Sequence, residues 1–200
     1  LSAGQKTGWF FDHRENRARV AALSHGRTVL DIYCYLGGFG LQAAAAGAAE
    51  ALCVDRSQPA LDLAARAAGA AGLAGRCRFE KAEAFPALER MLGEGRRFGT
   101  VVADPPAFVK SKKDLKPGAR GYRKLARLSA ALVEPGGVLF IASCSHHVDP
   151  PLFAEQVRRG LVDASRTARI LHAAGAGPDH PVHPHLPESA YLKCLFLQLD

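Results

Sequence analysis

Two hundred residues with 48% hydrophobic and 22% charged content suit one compact domain with a full core. No stretch approaches the ~18 to 20 uninterrupted apolar residues of a membrane-spanning helix, and no apolar signal core stands near the N-terminus, so a cytoplasmic protein with no membrane role is expected. The net charge of +7 leaves room for a polyanionic partner. Five cysteines (Cys34, Cys53, Cys77, Cys144, Cys194), odd in number and without a Cys-x-x-Cys pair, argue against a disulfide framework or a cysteine zinc site.

Along the chain, short apolar runs alternate with alanine-rich stretches, the pattern of repeated strand-helix units around a mostly parallel sheet. Strands are predicted over 28–33, 51–55, 76–80, 100–104, 138–143, 168–173 and 192–199, and helices over 39–46, 58–71, 84–92, 122–132 and 151–164. Ser57 is placed to cap the second helix ahead of Pro59. The last strand follows the Pro- and His-rich loop 175–187 and has no helix after it, which suits an antiparallel return closing the sheet. Residues 1–27 are expected to form an aromatic segment ahead of the first strand, and 28–200 to form one domain. The start at Leu1 rather than at methionine raises the expectation of a fragment whose missing N-terminal part carries another function.

Between the first strand and first helix stand Asp31, Tyr35, Gly37, Gly38 and Gly40, a turn where backbone approaches a ligand closely. Asp55 ends the second strand, placed for the hydroxyls of an adenosine ribose. The glycines alone do not separate a nicotinamide dinucleotide from S-adenosylmethionine. Asp31, Asp55, Glu83 and Asp104 at four successive strand ends fit a cationic ligand better than a pyrophosphate, which wants a helix N-terminus free of acids.

Two further strand ends carry chemistry. The run Val138–Ser143 leads into Cys144-Ser145-His146-His147, and Thr100–Ala103 leads into Asp104-Pro105-Pro106-Ala107-Phe108. A parallel sheet brings such ends together, and ligands sit beyond them. Basic residues then bunch at Lys110, Lys112, Lys113, Lys116, Arg120, Arg123, Lys124 and Arg127, a polyanion-binding pattern that a solvated helix face would also produce.

These residues resemble the class I S-adenosylmethionine-dependent methyltransferases, and within them the bacterial large-subunit ribosomal RNA cytosine-5 methyltransferases that bear a PUA domain. The resemblance rests on Gln5 to Arg14, Tyr35 to Phe39, Asp104 to Phe108, Arg120-Gly121-Tyr122, Ser143 to His147, Asp179 to Val182 and Tyr191-Leu192-Lys193. It implies a Rossmann-like seven-stranded fold, S-adenosylmethionine as cofactor and RNA, in particular large-subunit ribosomal RNA, as partner. No metal is implied, and the oligomeric state stays open, a homodimer included. The N-terminal PUA domain of such proteins has no room in this chain.

By the same resemblance Asp55 holds the ribose, Glu83 the adenine edge, and Asp31 with Gly37, next to Tyr35 and Gly38, the methionine part; Asp12 and Arg14 fold over the cofactor or the catalytic strands. Cys144 is the nucleophile, its thiol aided by His146 and His147 if their direction allows. Asp104 faces the pairing edge of the base, Pro105 and Phe108 contact it, and Lys110, Lys113, Arg120 and Lys124 meet phosphates. Other cytosine-5 RNA methyltransferases place a second cysteine where Pro106 stands, so the base that removes the carbon 5 proton is open. The rival readings are a nitrogen methyltransferase, a non-catalytic RNA-binding homologue, and a metal protein built on His180, His183 and His185.

Overall fold

The computed structural model describes residues 9–200; the Gln5 to Gly8 part of the first motif lies outside them. Seven strands, β1 (Thr28–Ile32), β2 (Glu50–Asp55), β3 (Cys77–Lys81), β4 (Phe98–Ala103), β5 (Val133–Ser143), β6 (Ala168–Ala174) and β7 (Lys193–Leu199), form one sheet in the order β3-β2-β1-β4-β5-β7-β6. All pairs are parallel except those of β7, which runs antiparallel to both β5 and β6. This is the expected Rossmann-like arrangement with an antiparallel last strand. The strand order turns back between β1 and β4, so the crevice beyond their carboxyl ends is the natural ligand site of this topology.

Side chains alternate between the two sheet faces. On one face Leu30, Ile32, Val101, Leu139 and Leu195 pack with α4 (Ala84–Gly93), α5 (Leu115–Ala131) and α6 (Pro150–Asp163) through Leu88, Met91, Tyr122, Leu125 and Phe153. On the other, Val102, Phe140 and Phe196 join Val20 of α1 (Arg14–Leu23) and Phe39 of α2 (Gly38–Ala45). The helix α3 (Gln58–Ala70) covers β2 and β3 through Ala68. Its N-terminus is capped as expected, Ser57 Oγ accepting from the Ala60 N–H, with Pro59 in the first turn.

Three elements differ from expectation, among them β5, which begins at Val133 rather than at residue 138. The helix α1 is absent from the predicted set because its buried face is Asn16, Arg17, Val20 and Ala21: half of what points inward is polar, which erases the apolar periodicity a helix is read from. The helix α5 begins at Leu115, not Tyr122. Pro117 is tolerated because the first-turn N–H groups have no partner within the helix. Gly121 is there for packing, since a Cβ would come within 3.0 Å of the Phe108 ring.

Candidate active site

The loop from β1 to α2 is held under strain. Tyr33 and Tyr35 adopt φ of 63° and 49°, and Gly37 caps α2 at φ 71°; non-glycine residues so held cost about 1–3 kcal/mol each and cluster at ligand sites. Asp55 fixes this loop, Oδ2 accepting from the Tyr35 N–H (2.9 Å) and Oδ1 from the Ser57 N–H (2.8 Å). Asp31 is buried at the end of β1. Its Oδ2 accepts from the Gly40 N–H (2.9 Å), while Oδ1 has no partner among the described residues. Burial pushes the Asp31 carboxyl up to about 7, opposed by the Gly40 hydrogen bond and reinforced by Asp104 and Asp55. Glu83, just ahead of α4, is exposed, and its charge adds to the burial that raises the Tyr33 phenol to about 12.

Not every glycine here is bare for a ligand. A Cβ on Gly38 would lie 2.9 Å from the Trp9 ring and 3.1 Å from Arg17 Cδ, and one on Gly40 would strike Cys53 Sγ. The segment before the sheet therefore lies directly on the glycine turn, with the Arg17 guanidinium stacked 4.6 Å over Trp9. Of the two residues expected from that segment, Asp12 is buried, one oxygen accepting from the Tyr191 hydroxyl (2.8 Å) and the other without a partner among the described residues. The exposed Arg14 guanidinium pairs with Asp179 at 3.1 Å on the loop before β7.

The residue between them turns inward instead. His13 is buried, and its Nε2 lies 3.2 Å from Asp104 Oδ2. Asn16 Nδ2 donates to the Gly175 carbonyl (3.0 Å) and stands 3.2 Å from His13 Nδ1, so Nε2 carries the proton facing Asp104. Burial pulls the His13 pKa down, but the charge and hydrogen bond of Asp104 together with Asp12 leave it raised. Nothing in the composition of Asp12-His13-Arg14 tells which of three successive polar residues in a 3-10 turn points to the sheet. The spacing of His13 and Asn16, three apart, is the one hint.

Cys144 stands beyond β5, half-buried, whereas the other four cysteines are buried. Its Sγ is 4.0 Å from the Pro105 carbonyl, so the two strand ends do converge. Ser145, buried, joins them: its Oγ shares a hydrogen bond with the Tyr122 hydroxyl (2.8 Å) and accepts from the Val109 N–H (3.2 Å). Burial and then Asp104 push the Cys144 thiol up, with Lys193 acting in the opposite direction. His146 and His147, whose direction the sequence leaves open, are both exposed, and the His146 ring packs 5.4 Å from Tyr191.

Pro105 is buried and offers no free face to a substrate; Pro106 is exposed. Phe108 is half-buried against Tyr122 (4.8 Å), Phe85 (6.1 Å) and Tyr33 (6.4 Å), and borders a shallow cavity of about 330 Å³ lined by Phe85, Asp114, Pro117, Gly118 and Gly121. Lys110, Lys113 and Arg120 are exposed, whereas Lys124 pairs with Glu89 at 2.8 Å and lies 4.9 Å over the ring of Phe85, which lines this cavity. The three loop histidines do not converge: His183 Nδ1 accepts from the His185 N–H while His180 sits against Tyr191. Among the described residues no group of three or more His, Cys, Asp or Glu side chains is arranged to hold a metal, and no helix is long and apolar enough to cross a membrane.

The family model described as S-adenosylmethionine-dependent methyltransferase matches residues 1–198. The chain belongs to that family. Its curated relatives include proteins named Ribosomal RNA large subunit methyltransferase I: 39% identity to the one from Aeromonas hydrophila over 98% of this chain and 49% of that protein, and 37% identity to the one from Pseudoalteromonas atlantica over 100% and 51%. The chain thus spans about half the length of the curated methyltransferases it matches. Among solved structures it is similar in fold to a methyltransferase complexed with SAH (TM-score 0.84, 22% identity, 96% of this chain and 50% of that one) and to a SAM-dependent methyltransferase from Streptococcus mutans (TM-score 0.83, 22% identity, with the same coverage).

Proposed function

We propose that this domain methylates carbon 5 of a cytosine in large-subunit ribosomal RNA, using S-adenosylmethionine and a transient covalent bond from Cys144. The observation that carries the reading is the convergence of a half-exposed thiol with the Asp104-Pro105-Pro106 turn between the ends of β5 and β4, beside the sheet's switch point. The names of the relatives support ribosomal RNA as the substrate class.

The residues present fit the cofactor. Asp31 offers an unpartnered buried carboxylate oxygen suited to an ammonium group, Asp55 stands at the end of β2 for a ribose diol, and Glu83 with Tyr33 borders the adenine side. S-adenosylmethionine supplies an electrophilic methyl group. Carbon 5 of cytosine is too weak a nucleophile to take it unaided. Addition of the Cys144 thiolate to carbon 6 makes carbon 5 enamine-like; after methylation, loss of the carbon 5 proton re-forms the ring double bond and the carbon–sulfur bond breaks. Asp104, held by His13, accepts from the amine edge of the base, and Phe108 with Lys110, Lys113 and Arg120 receives neighbouring nucleotides.

Wild-type protein incubated with S-adenosylmethionine and ribosomal RNA fragments containing 5-fluorocytosine is expected to form a denaturation-resistant RNA adduct on Cys144, because fluorine cannot leave as a cation where the proton would. Nitrogen methylation of the same RNA, without any adduct, would replace this reading.

Asp31 gives a pH prediction. Its folded pKa of about 7 lies above the value of 3.8 for a free side chain. Its contribution to stability is therefore greatest below pH 3.8 and is lost as pH rises through 7. A ligand ammonium needs the ionised form. Binding of S-adenosylhomocysteine is accordingly expected to weaken by up to about tenfold per pH unit below the Asp31 pKa, with proton release visible by calorimetry in buffers of different ionisation enthalpy. Asp31→Asn should bind weakly with little pH dependence over that range.

A further inference from the structure

Lys193 opens β7 opposite Ser143 of β5, and only 7% of it is exposed. Its Nζ donates to the carbonyls of Ser145 and Tyr191, both at 2.6 Å. These acceptors carry no net charge, and among the described residues no carboxylate lies within ion-pair distance of it. Lysine is almost never buried without a partner, because a desolvated ammonium needs a compensating anion. One of its three N–H groups is still unassigned. It grips the carbonyl of the residue next to Cys144, across the strand pair that delivers that cysteine.

We propose that Lys193 is the positive charge that pairs with Cys144 as a thiolate and holds it ready for attack. The inference rests on the reading of Cys144 as the nucleophile. Around the thiol, Asp104 beyond β4 and Asp12 from the segment before α1 disfavour a second negative charge. The Tyr122 hydroxyl on α5, the Tyr191 hydroxyl ahead of β7 and the Cys194 thiol on β7 also feel Cys144. Lys193 is the cation acting on it; burial lowers the Lys193 pKa, and Cys144, Cys194 and Asp149 at the start of α6 oppose that by favouring its charge. The thiol proton passes to water, the ammonium keeps its own three protons, and the thiolate returns to the pair when the carbon–sulfur bond breaks.

The half-exposure of Cys144 beside four buried cysteines makes the pair measurable without RNA. The protein is treated with iodoacetamide between pH 6 and 10, and carbamidomethylation of the Cys144 peptide is followed by mass spectrometry. Lys193→Met is expected to raise the inflection of the rate profile by about one pH unit or more and to slow alkylation near neutrality about tenfold, whereas Lys193→Arg stays within about half a unit of wild type. An unchanged inflection in Lys193→Met, or an equal shift in Lys193→Met and Lys193→Arg, overturns the proposal. General unfolding is told apart by alkylation of Cys34, Cys53, Cys77 and Cys194, in which case the Arg variant decides. A shifted inflection with undiminished methyl transfer upholds the pair and removes Cys144 from the chemistry.

Discussion

Cys144→Ala is expected to reduce methyl transfer to ribosomal RNA below detection while S-adenosylhomocysteine binding stays within about twofold of wild type. The activity loss follows from removing the one atom that activates carbon 5; triad-type nucleophile deletions elsewhere cost about 10⁶ in turnover. The unchanged binding follows from position: Asp31, Asp55 and Glu83 lie at the ends of β1, β2 and β3, whereas Cys144 lies beyond β5, on the other side of β4. Radiolabelled methyl incorporation and isothermal calorimetry on the same preparation measure both arms. Full activity of Cys144→Ala would transfer the reading to a nitrogen of the base, for which the Asp104-Pro105-Pro106 turn and Phe108 would suffice.

Asp55→Ala has the complementary effect, a loss of roughly 10- to 100-fold or more in S-adenosylhomocysteine affinity. A hydrogen bond to a charged group contributes about 1.5–3 kcal/mol, and the diol of a ribose offers two. The carboxylate also fastens the backbone of Tyr35 and Ser57, so its removal releases a loop already held at positive φ. Asp55→Asn retains one oxygen acceptor and is expected to lose less. Calorimetric titration of both variants, with circular dichroism to check the fold, tests the order wild type, Asn, Ala.

The sheet was legible because most strands are short apolar runs, with a glycine turn or an acid at the ends of β1, β2 and β4. Asp31, Asp55, Glu83, Asp104 and Cys144 were picked as candidates from that rhythm, and the fold brings their strand ends to one edge. What stayed hidden shares a cause. His13, Asn16, Arg17 and Lys193 are polar residues inside the protein, on elements whose pattern gives no reason to bury them. Ser145 and Tyr122 act through hydrogen bonds to backbone and to each other, which spacing along the chain does not encode. Arg14 was expected at the site from the family resemblance and Lys124 from its charge, yet each has an acidic neighbour, Asp179 and Glu89, that only the three-dimensional arrangement supplies.

Ser145 ties three separate stretches of chain at one buried point: the segment after the proline pair through Val109, the middle of α5 through Tyr122, and the start of β7 through the ammonium on its carbonyl. A base arriving at the thiol therefore meets a floor clamped on three sides, which cannot rise or tilt to greet it. On the proposed reading, accommodation has to come from an RNA nucleotide swinging out of its stack, or from the lysine-bearing stretch between Lys110 and Lys116. Selection among bases then depends on how well a fixed mould is filled, and loosening the knot with Ser145→Ala would trade that discrimination for tolerance.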